Sequence, residues 1–165
     1  MANYEFAVST QHSGKIKNPQ EVVDVFQVLG YEESYISGDS EVFIGGYETP
    51  LDDSPIVFLS TETGKPVAVD RDGYIYNVEN GEELDEDDEF YKDVDAGKYS
   101  SLDCMEYLQS QLLDGEVFAL VEAGWEKLRS VGGTAVVISQ DKIIWNSTYG
   151  FVEETIQKIK EKTNG

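Results

Sequence analysis

"PIVFLSTETGKPVAVDRDGYIYNVE", residues 55–79, contains three short runs rich in β-branched and aromatic side chains: PIVFLSTE (55–62), PVAVD (66–70) and YIYNVE (74–79). Such residues suit a pleated, half-buried surface. TGKP and RDGY separate the runs, and glycine beside polar residues between strand-like segments signals a hairpin. Strands joined by tight turns run antiparallel, so the stretch predicts a meander. EVFIGGYE (41–48) has the same texture and is expected to join it. Residues 56–59 are apolar at consecutive positions, as in a strand covered on both faces, and are expected to be central.

Upstream, YEFAVS (4–9) alternates and places Tyr4, Phe6 and Val8 on one face of a first strand. NPQEVVDVFQVLG (18–30) predicts a helix. Asn18 is the cap, Pro19 the first helical residue and Glu21 the partner in a capping box, with Val22, Phe26 and Leu29 at i, i+4 and i+7 and Gly30 at the stop. Downstream, SSLDCMEYLQSQLLDG (100–115) predicts a second helix capped by Ser100 or Ser101, burying Leu102, Met105, Leu108 and Leu112. EVFALVEAGWEKLRSVGG (116–133) has helical spacing at Val117, Leu120, Val121 and Leu128, weakened by Gly124, so residues 116–130 fit either helix or strand. TAVVISQDKIIWNST (134–148) predicts a hairpin turning at Gln140–Asp141. FVEETIQKIKEKT (151–163) predicts a closing helix with glutamates early and lysines late, as the macrodipole favours. The double glycines of IGGYE and VGGTA read as a strand bulge and a turn. Strands and helices come in runs, so the expected class is α+β: one domain over residues 1–165, an antiparallel meander packed against three to four helices.

A chain of 165 residues can bury roughly 70% of its unfolded surface, and 40% hydrophobic content supports a packed core. No apolar run approaches the ~20 residues that cross a bilayer. The start MANYEFAVSTQHSGK lacks the basic and apolar regions of a secretion signal, and the single cysteine, Cys104, cannot close an internal disulfide. These features predict a cytoplasmic protein without membrane contact. The net charge of −21 is unevenly spread, with residues 1–126 summing to −23 and residues 127–165 to +2. Nucleic acid and anionic membranes are themselves negative, so a basic protein is the expected partner. The plain alternative is acidity that serves solubility alone.

Several chemistries fail on residue type. An EF-hand loop starting at Asp85 puts Phe90 where the turn needs glycine, and one starting at Asp93 ends on Cys104 rather than glutamate. His12 is the only histidine, so any Ser-His-Asp or Cys-His pair depends on it. One Cys and one His cannot make a structural zinc site. No phosphate-binding glycine loop is present, and Cys104 sits beside the buried stripe of its helix, as a core filler would. No cofactor, metal or catalytic residue is expected. An enzyme of unknown class using a carboxylate pair stays open, since 33 acids allow many pairs and single out none.

The stretch NGEELDEDDEFYKDVDAG (80–97) holds nine carboxylates and one lysine and is expected to lie in an acidic loop at about 80–99. Its charges sit closer than the ~8 Å Debye length, so they repel one another unless something positive is near. Tyr74 and Tyr76 share one face of their strand, while Tyr91 and Tyr99 flank the acids. These tyrosines either pack a sheet face against a helix or anchor an interface whose acidic rim steers a basic partner. The candidate partner-binding set is therefore Tyr74, Tyr76, Glu82, Glu83, Asp85, Glu86, Asp87, Asp88, Glu89, Tyr91, Asp93 and Asp95.

Residues 54–112 resemble the SUKH superfamily. Asp72, Gly73, Tyr74, Ile75 and Tyr76 occupy that family's hairpin, and Ser100, Ser101, Leu102, Tyr107 and Leu108 its following helix start. The family's opening tryptophan-containing helix and its proline-led segment are absent, and residues 116–165 have no counterpart in it. The resemblance implies an acidic immunity protein that neutralises a toxin, often a nuclease. A second expectation rests on size and charge alone: a phage or mobile-element DNA mimic that blocks a restriction or CRISPR enzyme. Both describe a stoichiometric inhibitor of a basic, nucleic-acid-handling protein.

Overall fold

A computed structural model describes residues 4–84, 87–126 and 130–164. Strand β1 (Tyr4–His12) leads to helix α1 (Pro19–Val28), and three short strands follow: β2 (Tyr35–Gly38), β3 (Glu41–Phe43) and β4 (Gly46–Tyr47). The meander is β5 (Ile56–Ser60), β6 (Pro66–Val69) and β7 (Ile75–Asn77), extended by β8 (Glu82–Glu83). Helix α2 (Asp87–Asp95), strand β9 (Tyr99–Asp103) and helix α3 (Cys104–Gln111) come next. Strands β10 (Phe118–Glu126), β11 (Ser130–Ile138) and β12 (Ile143–Ser147) then lead into helix α4 (Thr148–Asn164). Two antiparallel five-stranded sheets result, ordered β12-β11-β10-β1-β4 and β8-β7-β6-β5-β9, beside a β2-β3 hairpin. The fold is α+β.

The meander forms as its turns dictate, with Gly64 and Gly73 at positive φ in the two hairpins. Strand β5 lies inside its sheet, between β6 and β9. EVFIGGYE does not join it. The run breaks at Ile44–Gly45, so β3 pairs with β2 and β4 with β1. Only glycine fits at the break: a Cβ on Gly45 would come 2.5 Å from the Phe43 ring and 2.9 Å from the Val8 carbonyl.

The expected helix over 100–115 is also divided. Ser100 and Ser101 are extended and pair with β5, and the cap is Asp103. Its carboxylate accepts from the N–H groups of Met105 (3.0 Å) and Glu106 (2.9 Å), while Glu106 accepts from the Asp103 N–H. At α1 the expected capping box does not form. Asn18 makes no side-chain cap bond, and Glu21 instead accepts from the Tyr107 hydroxyl (2.7 Å) and the Gln111 amide (3.0 Å), tying α1 to α3. Residues 118–126 are strand, and VGGTA lies inside β11 rather than in a turn. Gly133 there donates to the Thr148 hydroxyl, and a Cβ on it would meet the Glu122 carbonyl at 2.7 Å.

Helix α3 packs on β5 and β9 of one sheet and on β11 and β12 of the other, so one core spans both. Phe26, Tyr31 and Tyr107 pack their rings together there, at 5.7 Å and 6.4 Å from Phe26. A smaller core of Phe58, Val67, Ile75 and Phe90 lies under α2.

Candidate functional site: an acidic cleft beside an apolar groove

The expected acidic loop is a helix through its middle. Phe90 and Val94 give residues 87–95 an apolar stripe at i, i+4. Phe90 meets Phe58 edge-on at 5.1 Å, and the early acids suit the helix N-terminus. Gly97 at φ +81 ends α2 in a Schellman motif, with its N–H bonded to the Val94 carbonyl and that of Lys98 to the Asp93 carbonyl.

Just before it, the β6–β7 turn builds a site. The Asp70 carboxylate accepts from the N–H groups of Asp72 and Tyr74, both at 2.9 Å, and Gly73 turns the chain at φ +90. Arg71 then reaches toward the end of α1. Its guanidinium donates to the Glu48 carbonyl and the Thr49 hydroxyl, and that hydroxyl donates to the Gly30 carbonyl (2.7 Å). Gly30 has φ +111, and a Cβ there would come 2.8 Å from Arg71 Nε. Glu48 holds φ +58, a region costing a non-glycine residue about 1–2 kcal/mol. Both its carbonyl and its N–H are bonded, the latter to Phe6. Gly30→Ala is expected to destabilise the fold by about 2 kcal/mol or more, because the strained φ and the Arg71 clash act together. A urea melt measures it.

Around Arg71 lies a cleft of about 730 Å³ between the end of α1, residues 47–49, the 70–72 turn and β7. Its carboxylates are Asp24, Glu32, Glu48, Asp70, Asp72 and Glu79, with Tyr47 and Tyr76 among them and Arg71 as its cation. Among the described residues the salt bridges are Lys15–Glu41, Lys65–Glu79 and Lys98–Asp93. Of the cleft acids only Glu79 is in one. A concave surface lined by one sign of charge focuses its field and concentrates ions of the other sign. Partial burial, and then the charges of Asp70 and Glu83, push the Tyr76 hydroxyl above the usual tyrosine range, so it stays a donor. Next to the cleft is a groove of about 350 Å³ lined by Leu29, Ile56, Phe58, Val69 and Tyr91, sharing Asp70 and Arg71 as a wall.

The predicted site residues divide between these features. Tyr76 lies in the cleft and Tyr91 in the groove, where it is half-exposed and edge-on to Phe58. Tyr74 is exposed on the turn between them, and neither Tyr74 nor Tyr76 is buried under a helix. Glu82 and Glu83 are exposed on β8, opposite Asn77 and Tyr76. Asp88, Glu89 and Asp95 are exposed on α2, and Asp93 pairs with Lys98 at 3.3 Å. Asp87 opens α2, while Asp85 and Glu86 lie outside the described residues. Of the cleft's charged and tyrosine side chains only Tyr76 was predicted; Asp24, Glu32, Tyr47, Glu48, Asp70, Arg71, Asp72 and Glu79 were not. They come from distant parts of the chain, and no local pattern marks them.

No family model, curated protein or solved structure matches the chain. Of the residues carrying the SUKH resemblance, Asp72–Tyr76 fall in the turn and β7, Ser100–Leu102 in β9, and Tyr107 and Leu108 in α3. His12 is exposed at the end of β1. Cys104 is buried and donates to the Asp52 carbonyl (3.2 Å), and burial pushes its thiol up to about 12. Among the described residues no three His, Cys, Asp or Glu side chains converge as metal ligands, and no helix is long and apolar enough to cross a membrane.

Proposed function

We propose that this protein acts by binding, without turnover, as a stoichiometric inhibitor of a basic, nucleic-acid-handling protein, in the manner of an immunity protein. The observation that supports this most is the cleft, whose carboxylates are mostly outside any described salt bridge and which opens beside an apolar groove. A partner segment carrying lysine or arginine next to an apolar anchor fits both: the acids steer it and the groove around Tyr91 holds it. A DNA-mimic reading draws on a different feature, the exposed acids Glu82, Glu83, Asp88 and Asp95 along β8 and α2.

Two full-length variants separate the readings once a partner has been captured from a host lysate. The cleft variant carries Glu32→Gln, Glu48→Gln and Asp72→Asn. The ridge variant carries Glu82→Gln, Glu83→Gln, Asp88→Asn and Asp95→Asn, the exposed acids of β8 and α2. The cleft variant is expected to associate about 10–100-fold more slowly at low salt, with a flatter salt dependence and little change in dissociation. Fold stability should hold or rise, since mutually repelling charges are removed. If the ridge variant shows the loss instead, and duplex DNA competes for the partner, the DNA-mimic reading takes over. Unchanged rates for both would leave the acids as a solubility coat.

A further inference from the structure

An asparagine followed by glycine leaves the next backbone nitrogen unhindered in front of the side-chain amide, and Asn80–Gly81 is such a pair. It forms the turn between β7 and β8, where residues 79–83 are all exposed. Gly81 has φ +73, and a Cβ on it would meet nothing within 4 Å. The Asn80 side-chain carbonyl accepts from the Glu82 N–H at 2.9 Å. That bond folds the amide back along residue 81 and draws electrons from its carbonyl carbon, the atom a nucleophile attacks.

Other asparagines lack this combination. Asn18 precedes Pro19, whose nitrogen has no hydrogen to lose. Asn77 pairs with Val67 in β7 and is followed by the buried, branched Val78. Asn146 stands opposite Ala135 in β12. Strand pairing holds both of these backbones extended. Asn3 and Gly165 lie outside the described residues.

We propose that Asn80 is a modification site, converted to aspartate and isoaspartate by the Gly81 nitrogen with water as the only co-reactant. The nitrogen loses its proton to hydroxide and attacks Asn80 Cγ. A C–N bond forms, the Cγ–Nδ2 bond breaks, and Nδ2 leaves as ammonia with a proton from water. Water then opens the five-membered imide. Breaking its Cγ–N bond gives aspartate, and breaking its backbone C–N bond gives isoaspartate; neither step is a redox step. One contact opposes the attack, since the Gly81 N–H donates to the Asn77 carbonyl at 2.8 Å. The turn must open first, which costs little where the surrounding residues are solvated. Asn80 and Gly81 line the acidic cleft beside Glu79, which already draws on Lys65. Conversion therefore adds a carboxylate to that wall. Isoaspartate also lengthens the backbone by a methylene ahead of β8, loosening the Asn77–Glu82 and Tyr76–Glu83 pairs.

Mass spectrometry of the full chain, stored folded at neutral and at mildly alkaline pH, tests this. The chain is expected to gain about one dalton per event, faster at the higher pH because the attacking nitrogen must be deprotonated. Trypsin releases Asp72–Lys92 as one peptide, and fragmentation between Asn77 and Asn80 assigns the change. Isoaspartate elutes as a second peptide of equal mass. Gly81→Ala puts a methyl beside the nucleophile and is expected to slow conversion about tenfold or more. Asn80→Gln keeps the amide but requires a six-membered ring, so residue 80 should stay unconverted. Both positions are exposed, so circular dichroism should show an unchanged fold for each variant. Asn80 that stays intact in the folded chain, whether or not the urea-unfolded chain converts, overturns the proposal. So does conversion that runs equally fast in Gly81→Ala, or that is confined to Asn164.

Discussion

Above about pH 10 this protein should lose stability at ~4 kcal/mol per pH unit and unfold within one to three units. Three buried groups cause it. Tyr31 donates to the Pro50 carbonyl at 2.7 Å, Tyr107 to Glu21 at 2.7 Å, and Cys104 to the Asp52 carbonyl. Burial is the first cause of each shift. The Tyr31 and Tyr107 hydroxyls are pushed far above the ordinary 10.0, and the thiol rises from 9.0 to about 12. A raised folded value means that the folded chain keeps a proton the unfolded chain has lost. The stabilisation is therefore complete below pH 9 and falls as pH rises toward the folded values. Each group contributes ~1.4 kcal/mol per unit, first the thiol and then both hydroxyls. Circular dichroism followed against pH gives the transition, and tyrosinate absorbance should rise in step with it for these two residues. Tyr107→Phe should flatten the slope by about a third. Ionisation of Tyr31 and Tyr107 near pH 10 in a folded chain would contradict the argument.

Phe26→Ala is expected to cost about 3–5 kcal/mol, from lost burial and the cavity left behind. Phe26 is fully buried on α1, with Tyr31 and Tyr107 packed against its ring. Those neighbours are held by hydrogen bonds to Pro50 and Glu21, so they cannot easily move in to fill the space. Phe151→Ala makes the contrast. Phe151 is 59% exposed, so its truncation should change stability by about 0.5 kcal/mol or less. Urea melts of the two variants at low protein concentration separate these outcomes. A Phe26→Ala cost near 1 kcal/mol would mean that the aromatic cluster rearranges.

The meander was legible because its signals are local: β-branched runs, a glycine at each turn, and pairing between neighbours in sequence. Helix α1 was legible for the same reason, although the role of Glu21 was not. A glutamate three residues after Asn18 satisfies the capping pattern, but only the folded chain places Tyr107 and Gln111 close enough to claim it. Ser100 and Ser101 looked like caps until pairing with β5 drew them into a strand, leaving that role to Asp103. In residues 116–130, helical spacing competed with partners the sequence does not display. Pairing of β10 with both β1 and β11 outweighed that spacing. The acidic run was visible as charge, yet Phe90 and Val94 made its middle a helix. The cleft itself was hidden, because α1, residues 47–49 and the β6–β7 turn meet only in three dimensions.

The pairing of β1 with β10 also governs the order of folding. Glu5 stands opposite Trp125, so the first strand has no long partner until the last third of the chain exists. The meander β5–β8 closes through turns of a few residues, at little loop entropy, whereas joining residues 5 and 125 closes about three quarters of the chain. On the ribosome, at roughly 5–20 residues per second, β1 waits on the order of ten seconds for β10 to emerge. Through that interval its alternating edge, from Glu5 to Gln11, is open to any other nascent strand.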